Sequence, residues 1–173
     1  PRRIELLKMC NIDFDSLVAD IDEDLIKADI LASFRGVDTF KQAEILTKKL
    51  AREKALHVYR QRPNHLVVGS DTLVVTEKSI LGKPKDPQDA YEILRELSGK
   101  VHRVYTGVSI IGPKYEDTFV SIAKVKCYDL DPAMDQIIKD YIASGSPMDK
   151  AGSYGIQDMG SLLVEYIEGD YYT

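Results

Sequence analysis

Residues Val67–Val75 read Val-Val-Gly-Ser-Asp-Thr-Leu-Val-Val, an apolar run with an acid, Asp71, and a hydroxyl, Thr72, set inside it. Val67, Val68, Leu73, Val74 and Val75 predict a β-strand buried on both faces. Burying a carboxylate in such a strand costs on the order of several kcal/mol unless it meets a cation or a metal. Gly69 and Ser70 just before it predict a bulge or a break where backbone approaches a ligand. The alternative is an Asp that caps a turn at a strand end.

The flanking sequence alternates between helical and extended patterns. Pro1 suits a first helical position, and Ile4, Leu7 and Cys10 follow at helical spacing. The acidic patch 20–24 precedes a long helix over 38–62, started by Asp38 or Thr39 and stopped by Pro63. The run around Asp71 yields two short strands joined through Glu77-Lys78-Ser79, with 80–84 leaving as a loop. Asp86-Pro87 opens a helix whose apolar side is Ala90, Tyr91, Leu94 and Leu97, and Gly99 ends it. Strands over 101–111 and 119–128 flank a Gly112-Pro113 turn. Asp131-Pro132 starts a helix that ends near Ser144-Gly145, and a Gly-rich loop, 147–160, precedes a last strand over 161–167. Interleaved strands and helices make the fold class α/β.

A chain of 173 residues suits one domain. Its 28 acids against 23 bases, a formal net charge of -5, argue against broad binding to nucleic acid or to an anionic membrane. No apolar run approaches membrane-spanning length, and no signal peptide precedes Pro1. Pro1-Arg2-Arg3 runs straight into a helical pattern, as though residues preceded it. Cys10 and Cys127 match no metal or redox spacing and read as buried apolar groups, in keeping with a reducing cytosol and a cytoplasmic protein.

Lys54 is a second anomaly. It falls in the middle of the stripe Ala43, Thr47, Leu50, Ala51, Ala55 and Val58 on the long helix, where a lysine either snorkels to an edge or meets an anion. Lys83, stiffened by Pro84, is a phosphate contact or a solvated loop lysine. Arg2 and Arg3 open a helix, where free N–H groups and the dipole favour an anion; two surface arginines are the other reading. Glu23 and its neighbours hold a divalent ion through oxygen ligands or form a solvated loop face. In 149–157, glycines, polar side chains and Tyr154 shape a pocket for a planar ligand; Gln157, donor and acceptor at once, suits a base edge, and Tyr154 stacks or merely packs. His57, His65 and His102 share no ligand spacing. No Ser/His/Asp grouping, P-loop or dinucleotide fingerprint is present. Cations, acids and a base-reading loop together suit a nucleoside triphosphate with a metal.

The chain resembles the Maf nucleotide pyrophosphatases, including the Maf-like domain of the eukaryotic acetylserotonin methyltransferase-like protein. The resemblance rests on Pro1-Arg-Arg-Ile-Glu-Leu-Leu7, Asp22-Glu23, Ala51-Arg-Glu-Lys-Ala55, Ser70-Asp-Thr72 and Leu81-Gly-Lys-Pro84. It continues through Leu97-Ser-Gly99, His102, Tyr105-Thr-Gly-Val108 and Pro147-Met-Asp-Lys-Ala-Gly-Ser-Tyr-Gly-Ile-Gln157, in family order. It implies an inosine-triphosphatase-like fold, two-lobed around a mixed sheet flanked by helices, with a central cleft. The implied reaction hydrolyses a nucleoside triphosphate to the monophosphate and pyrophosphate with Mg²⁺ or Mn²⁺. Asp71 then matches the catalytic base and a metal ligand, Glu23 the acid near the metal, and Lys54 and Lys83 the phosphate-contacting lysines. Arg2, aided by Arg3, and Thr72 with Gln157 match the substrate-binding positions, in the pattern of the branch that prefers dTTP, UTP and modified pyrimidine nucleotides.

The family pattern also begins with a strand and a Ser-containing turn before Pro-Arg-Arg. It runs past 170–173 into a Val-Gly-Leu-Pro segment and a closing helix, and many members have Gly where Asp158 stands. The expectation is therefore a single domain over 1–173 without its first strand and C-terminal segment, with a homodimer allowed by family analogy. A nucleotide-binding module with little turnover and a 7-methyl-GTP pyrophosphatase are the rival functions.

Overall fold

A computed structural model describes residues 2–173, except for the side chain of Arg2. The helices are α1 (Arg2–Met9), α2 (Glu23–Ser33), α3 (Thr39–Gln61), α4 (Pro87–Leu97) and α5 (Pro132–Ala143). The strands are β1 (Val67–Val75), β2 (Ile80–Leu81), β3 (Val101–Gly112), β4 (Tyr115–Cys127) and β5 (Val164–Glu168), and three short 3-10 turns at Ser146–Asp149, Ala151–Ser153 and Met159–Leu163 fill the loop before β5. Local chemistry sets the helix starts. The carboxylates of Asp22, Asp38, Asp86 and Asp131 each accept N–H groups from the first turn that follows, and Pro87 and Pro132 occupy first helical positions.

The strands form one sheet in the order β2-β1-β3-β4-β5, and every neighbouring pair is antiparallel. The α/β layering expected from the sequence is present, with helices flanking the sheet. Alternate residues of β1 serve opposite faces. Val67, Gly69, Asp71, Leu73 and Val75 face α3, where Ala43, Val75 and Tyr105 form one core cluster and Ala55, Val67 and Ile111 another. Val74 belongs to the larger core on the other face, with Leu94 and Leu97 of α4, Ile138 and Tyr141 of α5, Tyr154 and Leu163.

Four local expectations are corrected. Val68 is exposed, because the layer covering that face reaches only the Val74 end of β1. Gly69 makes no bulge; it pairs regularly with Ser109 of β3. A Cβ there would lie 2.4 Å from the Ala51 carbonyl oxygen and 2.6 Å from the Ala55 nitrogen, so the missing side chain admits the backbone of α3 rather than a ligand. The patch 20–24 is not simply a loop: Asp22 caps α2, and Glu23 and Asp24 fill its first turn. Cys127 is buried as expected, and burial pushes its thiol up to about 12, whereas Cys10 is exposed.

Candidate active site

Close contact between α3 and the sheet builds the centre of the site. Gly107 stands opposite Asp71 on β3, and a Cβ on it would lie 2.4 Å from the Thr47 carbonyl oxygen. Where these glycines let the helix descend, Lys54 comes over Asp71. Its Nζ donates to Asp71 Oδ1 at 2.6 Å and pairs with Glu23 Oε1 at 2.9 Å. Asp71 is 9% exposed, so the burden that its sequence position predicts is met by a cation from another element. Desolvation alone would lower the Lys54 pKa, but the Asp71 and Glu23 carboxylates outweigh it, and the net shift is upward. One ammonium thus bridges a nearly buried carboxylate and a half-exposed one.

Thr72 points to the opposite face. Its Oγ1 accepts from Arg3 of α1 at 3.0 Å and lies 2.9 Å from Oγ1 of Thr106, its cross-strand partner. Desolvation lowers the Arg3 pKa while the Asp71 charge raises it, so the guanidinium and that carboxylate share a field. The two faces are not cut off from each other. On one side β1 pairs with β3 over 67–75, but on the other it pairs with β2 only through Val74 and Val75. Among the described residues the 67–73 edge therefore carries no strand. The side chain of Arg2, also expected here, lies outside the described residues.

Lys83 is exposed on the loop after β2 and touches neither Asp71 nor Lys54. It lines a cavity of about 940 Å³ between Asp24 and Lys27 of α2, the β2 loop and α4. Its loop is tied to the Gly-rich segment, because the Gly152 N–H donates to the Gly82 carbonyl at 3.0 Å. Gly152 has φ 69° and lies directly on Val74, positions that exclude a side chain. Gln157 is exposed at the tip of the same segment. Tyr154 is buried, so its ring packs and is not offered to a ligand.

The structure thus joins Glu23, Lys54 and Asp71 in one cluster and Arg3 with Thr72 in a second. Lys83 and Gln157 join neither cluster, and the Gly152–Gly82 bond ties their two loops together. Sequence reasoning gives His102 only a place in the family resemblance and a packing or surface role, and it does not single out Thr106, Tyr141 or the ties of Asp158. The Thr106 hydroxyl falls on the same strand face as Thr72 once the β1–β3 register is known. His102 is 1% exposed, with Nε2 2.7 Å from Tyr154 Oη. Tyr141 donates to Asp158 Oδ1 at 2.8 Å and accepts from the Gly155 N–H at 3.1 Å, and Ser146 donates to Asp158 Oδ2 at 2.7 Å.

Comparison with known proteins places the chain in a family. The family described as Maf-like protein matches residues 1–173. A protein of Aquifex aeolicus (strain VF5) named dTTP/UTP pyrophosphatase is 40% identical over 173 residues, which is 100% of this chain and 83% of the relative. Relatives of the same name from Bacillus cereus (strain AH187) and Bacillus anthracis are each 39% identical, with the same coverage. A match along the whole chain, at this identity, to proteins of one name shows that the chain belongs to the Maf-like protein family.

Proposed function

We propose that the chain is a nucleoside triphosphate pyrophosphatase of the uridine and thymidine type, a single catalytic domain that releases pyrophosphate and leaves the monophosphate. The observation that carries the reading is the Glu23–Lys54–Asp71 cluster beside an open strand edge. The names of the full-length relatives support the substrate class.

Asp71, which the Lys54 ammonium meets at 2.6 Å, accepts the proton of a water that attacks the α-phosphorus. The new oxygen–phosphorus bond forms as the bond from the α-phosphorus to the bridging oxygen breaks, and pyrophosphate leaves with the electron pair. Lys54, Lys83 and Arg2, aided by Arg3, offset the charge that gathers on the leaving group. Thr72 and Gln157 read the base edge.

Asp71 and Glu23 would hold Mg²⁺ or Mn²⁺. Among the described residues no group of three or more His, Cys, Asp or Glu side chains could hold a metal ion. Two carboxylates converging on one cation nevertheless fit a hard ion whose remaining ligands are substrate oxygens and water. When bound, that ion would supply charge neutralisation of the triphosphate and acidify water.

Among the described residues no helix is long and apolar enough to cross a membrane. A cytoplasmic enzyme that takes free nucleotide, binds no nucleic acid and pairs as a homodimer completes the reading. The test incubates the purified chain with UTP, dTTP, 5-methyl-UTP, CTP, GTP and 7-methyl-GTP, plus Mg²⁺ or Mn²⁺, and measures pyrophosphate. Release from uridine and thymidine nucleotides, lost with EDTA, is expected. Nucleotide bound without release would replace the reading with a binding module, and preference for 7-methyl-GTP would move the substrate.

A further inference from the structure

We propose that His102 is a positioning residue for nucleotide selection: through its bond to Tyr154 it holds the loop segment that presents Gln157. The proposal rests on the base-reading role given to Gln157 above.

Gln157 is the exposed residue of a short span fixed at both ends. At the start, Tyr154 is buried and its hydroxyl meets His102 Nε2 at 2.7 Å. The two rings also meet edge to face, with centroids 5.5 Å apart and planes at 87°. At the far end, Asp158 takes Tyr141, Ser146 and the Gly160 N–H as donors. Between them the Gly155 N–H is itself bonded to the Tyr141 hydroxyl. Only 156 and 157 lie between these fixed points, so the direction of the Gln157 side chain follows from how firmly each end is held.

The two ends differ in what they are tied to. Asp158 is held by α5 and the turn that follows it. His102 belongs to β3, the strand that also carries Thr106 and pairs along all of β1. The His102–Tyr154 bond is therefore a side-chain link between the Gln157 segment and the strands that hold Asp71 and Thr72.

The imidazole does more than fill space. His102 Nδ1 is buried with no hydrogen-bond partner among the described residues, a feature that costs stability. An apolar side chain would avoid that cost. What histidine adds at this position is the bond to Tyr154.

The experiment compares wild type with Tyr154→Phe, His102→Leu and His102→Gln. It measures kcat and KM for UTP and CTP, together with backbone amide exchange over 153–158. Tyr154→Phe removes one hydroxyl and keeps the packing. It should raise KM for UTP about fivefold, the worth of one neutral hydrogen bond, while kcat holds. It should narrow the preference for UTP over CTP and speed exchange in the segment. His102→Leu should behave like Tyr154→Phe, and His102→Gln, which keeps a polar partner, should recover part of the preference. Gln157→Glu is run in the same panel. If Gln157→Glu alters the relative rates while Tyr154→Phe leaves both preference and exchange unchanged, the proposal is overturned and the base-reading role stands. If Tyr154→Phe narrows the preference while Gln157→Glu does nothing, the role of Gln157 falls and the proposal, which rests on it, falls with it. No change in either variant overturns both.

Discussion

Lys54 Nζ lies 2.6 Å from Asp71 Oδ1, and this pairing joins the two residues that most disturb the apolar pattern of the chain. Each is awkward alone, a lysine on the buried face of α3 and a carboxylate within β1. Together they neutralise one another, with Glu23 as a second acid 2.9 Å from the same ammonium. A carboxylate so held is fixed in position, which is what a proton acceptor for attacking water requires.

Asp71→Asn keeps the size and polarity of the side chain but cannot take a proton. Turnover should fall by about 10²-fold or more, while nucleotide affinity changes little. Pyrophosphate release and equilibrium binding, measured on one preparation, check this. Normal turnover would remove Asp71 from the reaction.

Gly69→Ala tests the contact on which the cluster depends. Its Cβ would sit 2.4 Å from the Ala51 carbonyl oxygen, a backbone atom that cannot rotate away, so α3 must move. A loss of about 1–3 kcal/mol in unfolding free energy is expected. Activity should fall as well, since Lys54 rides on the displaced helix. Urea denaturation beside pyrophosphate assays separates the two effects.

Glu23→Gln keeps a hydrogen-bonding partner for Lys54 but removes one of the two carboxylates. The metal concentration that gives half-maximal activity should rise. Thermal stability should barely change, because the Glu23 side chain is 52% exposed and exposed ion pairs contribute little. Titration with Mn²⁺ at saturating UTP reads the first effect and a melting curve the second. An unchanged metal requirement would place Glu23 outside the ion's shell.

His102 links stability to pH. Burial lowers its pKa from 6.5 to about 4. Above pH 6.5 the ring is neutral both folded and unfolded and adds no pH dependence. As pH falls from 6.5 toward about 4, the unfolded chain takes up a proton that the native ring refuses, so stability declines through that window. The full loss is roughly 3 kcal/mol. Melting temperatures measured across that range should drop in wild type, and the drop should shrink in His102→Gln. Equal slopes in the two proteins would contradict the assignment.

Much of the fold was legible because its signals are local. An Asp cap followed by Pro marks the starts of α4 and α5, the buried stripe marks α3, and Gly112-Pro113 marks the turn between β3 and β4. Helix α2 escaped notice because none of its residues is buried, so no apolar stripe announces it; the Asp22 cap was the available signal. The 3-10 turns before β5 give no helical signal, because glycines there serve close approach and left-handed backbone, and neither leaves a periodic pattern.

By itself the sequence determined that Asp71 meets a cation or metal or else caps a strand end, that Lys54 meets an anion or else snorkels to an edge, and that a polar, Gly-rich segment ends at Gln157. Those are statements about single residues and their neighbours, and burial energetics enforces them whatever the partners are. Only the tertiary structure decided that Lys54, 17 residues before Asp71, is its partner, and that Thr72 turns away toward Arg3, 69 residues distant. It alone decided that His102 holds Tyr154 across 52 residues. These pairings depend on the depth to which α3 settles onto two glycines, on the β1–β3 register, and on alternation along one strand with an open edge. Helix-to-sheet distance and strand register are set by packing over the whole core, and no short stretch of sequence encodes either of them.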